Sequence, residues 1–263
     1  MAQLNLAEGA GLIGLDAVEI EYSFFAGSEE RPTIVLLHEG LGSVSLWRDF
    51  PEALAKSSGS PVFTYSRVGY GKSSPCDLPR PLSYMEDEAQ EFLPGLLARL
   101  SARRLVLFGH SDGGSIAAVN AGAIPDPRLA GIILMAPHFF TEEICVTAIT
   151  ETNRLYAETA LRERLARHHG ANVDCAFRGW ADTWLHPDFL NWDLTPFLPK
   201  IKVPTLLIQG EDDEYGTRAQ VDTADRLIPA PTVLHMLPDC GHSPHKDQRE
   251  RVLALASAFV AAL

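Results

Sequence analysis

Short apolar runs of strand composition recur along the chain, at Val18–Phe25, Thr33–His38, Val62–Ser66, Arg104–Gly109, Gly131–Ala136, Thr205–Gln209 and Val233–Leu237. Most are continuously apolar, as in strands covered on both faces. Val18–Phe25 alternates instead, which predicts an antiparallel edge. Helical patterns fill the gaps. Ser83-Tyr-Met-Glu86 reads as a capping box opening a helix to about Leu100, and Thr217-Arg-Ala-Gln220 as another, to about Ile228. Ser243-Pro244 places a cap before a proline at the first helical position. Val252, Leu255, Ala256, Phe259 and Leu263 then share one helix face. Strands alternating with helices predict a doubly wound α/β fold with a mostly parallel sheet. Between about Thr141 and Pro199 the alternation stops, and the sequence reads as a helical insertion rich in tryptophan and phenylalanine.

At 263 residues the chain suits one large domain with its own core. Net charge is −12, which argues against a nucleic-acid partner and against anionic membranes. The longest uncharged apolar stretches, Leu129–Phe140 and Val252–Leu263, are shorter than the ~20 residues of a membrane span. The beginning of the chain has no basic stretch ahead of an apolar run, so no signal peptide is read and a cytoplasmic location is expected. Cys76, Cys145, Cys175 and Cys240 form no Cys-x-x-Cys pair, so no metal site is expected. Four scattered thiols fit a reducing compartment, although an even count is also compatible with disulfides.

The run Arg104-Leu-Val-Leu-Phe108 leads into Gly109-His110-Ser111-Asp112-Gly113, and then into a helical stretch, Ser115–Ala123. Gly-x-Ser-x-Gly between a strand and a helix forces the serine into a strained conformation and lifts its hydroxyl clear of the sheet. A serine needs a base to take its proton, and the base needs an orienting carboxylate. Both follow at strand C-terminal ends, where open α/β sheets place their sites. Glu211, Asp212, Asp213 and Glu214 follow Thr205–Gln209; His242 follows Val233–Leu237. His242 is preferred over the other histidines by this position. His110 is expected to pack beneath the nucleophile, and His168, His169 and His186 fall in the insertion. Gly71-Lys72-Ser73 lacks the earlier glycine of a phosphate loop, and His38-Glu39 lacks the second histidine of a zinc protease.

Taken together, these motifs resemble the α/β-hydrolase superfamily over essentially the full chain. The resemblance places the acid at Asp213. It implies a core of residues 1–140 and 200–263 and a cap domain, residues 141–199, that covers the pocket and sets substrate choice. His38-Glu39-Gly40-Leu41-Gly42-Ser43 is similar to the family's oxyanion loop, with Glu39 where glycine is common. The oxyanion donors implied are the backbone N–H groups of Leu41 and Asp112, with Gly40 second. Ser66–Ser73 is similar to the family's Asp-x-x-Gly-x-Gly-x-Ser loop, with Ser66 replacing the aspartate.

A serine nucleophile sets the chain apart from the dehalogenases and epoxide hydrolases of the superfamily, which use aspartate. Ser243 stands where C–C hydrolases carry tryptophan. Ser111-Asp-Gly-Gly114 resembles esterases in which the acidic residue meets a substrate amine; the alternative is that Asp112 favours the helix dipole. His138, Phe139, Trp180 and Trp184 are the expected pocket residues. The function expected is hydrolysis of a small carboxylic ester, lactone or thioester without a cofactor, by a monomer or a homo-oligomer. A C–C hydrolase or acyltransferase with the same triad, or a non-catalytic binding protein of this fold, are the alternatives.

Overall fold

The structure, a computed structural model, describes Leu4 and residues 6–263. Its strands are β1 (Gly9–Leu15), β2 (Val18–Phe25), β3 (Thr33–Leu37), β4 (Val62–Tyr65), β5 (Leu105–His110), β6 (Leu129–Met135), β7 (Thr205–Gly210) and β8 (Thr232–Leu237). They form one sheet in the order β1-β2-β4-β3-β5-β6-β7-β8. β2 pairs antiparallel with β1 and β4, and the other pairings are parallel. The helices are α1 (Phe50–Ser58), α2 (Tyr84–Asp87), α3 (Leu93–Leu97), α4 (Asp112–Ala123), α5 (Glu143–Glu158), α6 (Leu161–His169), α7 (Val173–Trp184), α8 (Ala219–Leu227), α9 (Pro244–Asp247) and α10 (Arg249–Ala262).

Coverage on both faces explains the continuous apolar runs. In β5, Leu105 and Leu107 join the core beneath α3 and α4, while Val106 and Phe108 join the one beneath α1 and α10. The edge expected at Val18–Phe25 is instead covered by β1, whose Gly9, Gly11 and Gly14 dilute its strand composition. The single helix expected from Ser83 to Leu100 is broken. A π-type turn at Glu88–Phe92 separates α2 from α3, and Pro94, which has no N–H to donate, follows directly. The Ser83 hydroxyl donates to Asp87 rather than capping the helix. Gln220 does not close a capping box either. Its amide accepts from Phe139 N–H (2.7 Å) and donates to Phe140 O and Glu142, fastening the chain where it leaves β6.

The segment between β6 and β7 holds α5, α6, α7 and three short 3₁₀ turns, and a bridge between Phe140 and Asp193 closes its base. Cys76 and Cys175 are paired as a disulfide joining the loop after β4 to α7 (Cα–Cα 6.5 Å), so the four cysteines are not all free thiols; Cys145 and Cys240 are free and buried. No helix among the described residues is long and apolar enough to cross a membrane.

The missing aspartate of the Ser66–Ser73 loop is replaced from another strand. Glu21 of β2 is 6 % exposed, and its Oε2 accepts the Ser66 hydroxyl (2.7 Å) and the Lys72 N–H (3.0 Å). The Ser66 hydroxyl oxygen in turn accepts the Val44 N–H (2.9 Å). Removing the carboxylate orphans the buried Ser66 hydroxyl and the part-buried Lys72 N–H. Glu21→Ala is therefore expected to cost about 2–4 kcal/mol, read as a lower urea midpoint. An unchanged midpoint would show that this carboxylate does not hold the loop.

Candidate active site

Ser111 begins α4 with φ 53° and ψ −120°, a region a non-glycine residue rarely enters. A Cβ at Gly109 would collide with the Gly113 carbonyl, and one at Gly113 with the Leu37 carbonyl. Glycine at both positions lets β5 turn sharply into α4. Ser111 N–H donates to Met135 O (2.9 Å), and the Ser115 hydroxyl donates to His138 O (2.6 Å), tying the turn to the end of β6.

His242 Nε2 lies 2.9 Å from Ser111 Oγ, and its Nδ1 lies 2.8 and 2.9 Å from the two oxygens of Asp213. The ring thus donates a hydrogen bond from Nδ1 to the carboxylate and accepts one from the serine hydroxyl at Nε2. Asp213 also accepts from Tyr215 N–H (2.8 Å), Gly216 N–H (3.2 Å) and the Gln209 amide (2.8 Å). Burial works to raise the Asp213 pKa. The hydrogen bond and charge of His242 outweigh it, and the net shift is downward, so the carboxylate stays ionised. The rival acids separate by position: Glu211 and Asp212 are exposed, and Glu214 accepts the backbone N–H of His242 (3.1 Å) instead of touching its ring.

A cavity of about 270 Å³ opens over this line of groups. Gly40, Leu41, Asp112, His138, Trp180 and Trp184 all line it. The Leu41 N–H makes no backbone hydrogen bond among the described residues, and the Asp112 N–H lies in the first turn of α4. Phe139 does not line the cavity. It is fully buried, and its N–H donates to the Gln220 amide oxygen (2.7 Å). Burial and then the neighbouring His242 push the His138 pKa down to about 3, so its ring is neutral. A larger groove of about 750 Å³, lined by Phe24, Arg31, Phe63 and Arg103 among others, lies at the N-terminal ends of the strands and shares no residue with this site.

Asp112 is 1 % exposed and its carboxylate is already engaged. It accepts the Tyr84 hydroxyl and lies 3.8 Å from Arg67, which leaves it a buried, already engaged group rather than an open receptor for an amine. Arg67 does more: its guanidinium donates to His38 O (2.6 Å) and Glu39 O (3.1 Å), fixing the start of the loop after β3. Glu39, at the position where glycine is common, turns its carboxylate toward His110 (3.5 Å) and Lys246 (4.0 Å). Its burial is outweighed by those contacts, and its pKa falls well below the carboxylate range. His110 lies beneath the serine, with Nε2 donating to His242 O (2.7 Å). Cys145, Ile149, Glu214 and Tyr215 complete much of the cavity wall. Glu214 belongs to the acidic turn that also supplies Asp213, whereas Cys145, Ile149 and Tyr215 carry no local motif and only their approach in space reveals them.

Residues 34–255 match the model of the alpha/beta hydrolase family. The chain is similar to proline iminopeptidase of Lactobacillus helveticus, at 23% identity over 92% of this chain and 94% of the relative. It is similar to serine hydrolase BPHL of Homo sapiens, at 24% identity over 94% of this chain and 85% of the relative. Among solved structures, a serine hydrolase involved in carbazole degradation (CarC enzyme) superposes with a TM-score of 0.76 at 17% identity, covering 98% of this chain and 100% of the other.

Proposed function

Since the chain belongs to the alpha/beta hydrolase family, we propose that it is a serine hydrolase of a small carboxylic ester, lactone or thioester. Ser111 is the nucleophile, His242 the base and then the acid, and Asp213 the group that orients and charges the imidazole. The observation carrying this reading is the unbroken hydrogen-bonded line from Asp213 through His242 to the strained Ser111.

Ser111 Oγ attacks the carbonyl as its proton passes to His242 Nε2. The tetrahedral oxyanion is met by the N–H groups of Leu41 and Asp112, with Gly40 beside them, and each such donor supports roughly 3–4 kcal/mol of barrier lowering. Collapse expels the leaving group with the His242 proton. Water, deprotonated by the same ring, then releases the acid. Residues 141–199 act as the cap, and Trp180 and Trp184 with the neutral His138 favour a compact, largely apolar acyl group. Phe139, fully buried, is not part of the pocket in this reading.

Stopped-flow mixing with an activated aryl ester is expected to show a burst of phenol followed by slower turnover, and a panel of acyl lengths should peak at short acyl chains. A protein that turns over no ester, lactone or thioester but cleaves a C–C bond, or transfers the acyl group to an added acceptor in preference to water, would contradict the reading.

A further inference from the structure

The oxyanion loop is held from two directions. Its start is fixed by the core through Arg67. Its tip is reached by the insertion. His169, the last residue of α6, is 1 % exposed and lies 128 positions from Leu41 along the chain. Its Nδ1 accepts the Gly71 N–H (3.1 Å), which leaves the ring proton on Nε2, and Nε2 donates to the Leu41 carbonyl (3.1 Å). Burial lowers its pKa to about 4, so the ring keeps one donor and one acceptor. Asn172 braces the same contact by donating to Gly71 O (3.2 Å) and Ser73 O (2.7 Å). Trp180 of α7 seats its indole against Gly40 so closely that a Cβ there would strike the ring.

The peptide between Leu41 and Gly42 is thus pinned at both ends: its carbonyl by His169, and its N–H by Glu39 O (3.0 Å). Pinning that peptide sets ψ of Leu41 and steadies the peptide before it, whose N–H points toward the reacting carbonyl in the mechanism above. We propose that His169 is a positioning residue for the reaction, through which the seated insertion holds the Leu41 N–H in line for the oxyanion. This rests on the serine-hydrolase reading. It makes the insertion part of the machinery as well as a cover over the pocket.

The test compares kcat and KM for an activated aryl ester, and the rate of Ser111 modification by a fluorophosphonate, in the unsubstituted protein and in His169→Ala, His169→Gln and His169→Met. A displaced oxyanion donor acts on the transition state more than on ground-state binding. His169→Ala is expected to lower kcat and the labelling rate by about 10- to 100-fold, with KM changed less than about threefold. Glutamine, with a donor and an acceptor at nearly the spacing of the two ring nitrogens, should recover most of the loss. Methionine, which fills the space but cannot bridge, should not, and this pair decides the matter even if the alanine variant unfolds. A folded alanine or methionine variant with kcat within twofold of the unsubstituted protein, a loss confined to KM, or glutamine no better than methionine would overturn the assignment. Absence of Ser111-dependent turnover in the unsubstituted protein would instead overturn the hydrolase reading, and this assignment with it.

Discussion

Ser111→Ala is expected to lower turnover of an activated aryl ester by roughly 10⁴- to 10⁶-fold and to remove the burst entirely. In the proposed mechanism this hydroxyl carries the acyl group between the two halves of the reaction. Its one side-chain partner is His242, so its removal leaves no other buried group without a bond. The backbone turn is set by Gly109, Gly113 and the Ser111 N–H, all of which survive in the variant. The loss should therefore fall on kcat while the unfolding midpoint stays near that of the parent. The residual rate reports what the oxyanion donors and the pocket supply alone. Turnover within tenfold of the parent, measured on protein free of contaminating esterase, would rule out Ser111 as nucleophile.

Mild acid is expected to strip several kcal/mol from the fold. His38, His138, His169 and His245 are all buried, and burial lowers the pKa of each, to about 3 for His138, about 4 for His169 and well below the usual value for the other two. In the unfolded chain the same rings take up protons as pH falls through about 6.5. The unfolded state then holds more protons than the native state, so stability rises with pH across this window: it is complete above the unfolded pKa and is lost as pH falls below it. One unit below, each ring contributes somewhat more than about 1 kcal/mol of loss, or about 5–6 kcal/mol for the four, a figure comparable with the whole stability of a marginal domain. Asp112 and Glu88, whose pKa values burial raises, offset part of this by binding protons in the fold. Urea unfolding at pH 7.5 and 5.5 should show the drop. His245→Phe should flatten the slope by about a quarter, since neither nitrogen of that ring has a hydrogen-bond partner. Equal stability at both pH values would mean that these rings are protonated in the fold.

The parts legible in the sequence share one property: their physics is local. A strand, a glycine-flanked serine and a helix lie within about twenty residues, and both the turn and the exposed hydroxyl follow from steric rules. The strands were readable because burial on both faces demands unbroken apolar runs. β1 was not, because its glycines carry no such demand. The site residues that sequence reasoning missed work across long separations. Glu21 supplies the carboxylate that Ser66 lacks from 45 residues away, and His169 reaches Leu41 across 128. Glu39 was visible as a departure from the family's loop, but its purpose needs His110 and Lys246 to be seen beside it. The sequence leaves Asp112 open as a receptor for an amine because nothing local shows that Tyr84 and Arg67 already occupy its carboxylate.

The most direct test of the central claim is intact-mass and peptide-mapping analysis after treatment with a fluorophosphonate at neutral pH. One phosphonyl adduct per chain, mapped to Ser111 and lost in both His242→Ala and Ser111→Ala, is the result expected from an activated serine. An unmodified chain, or an adduct on another residue that persists in both variants, would contradict it.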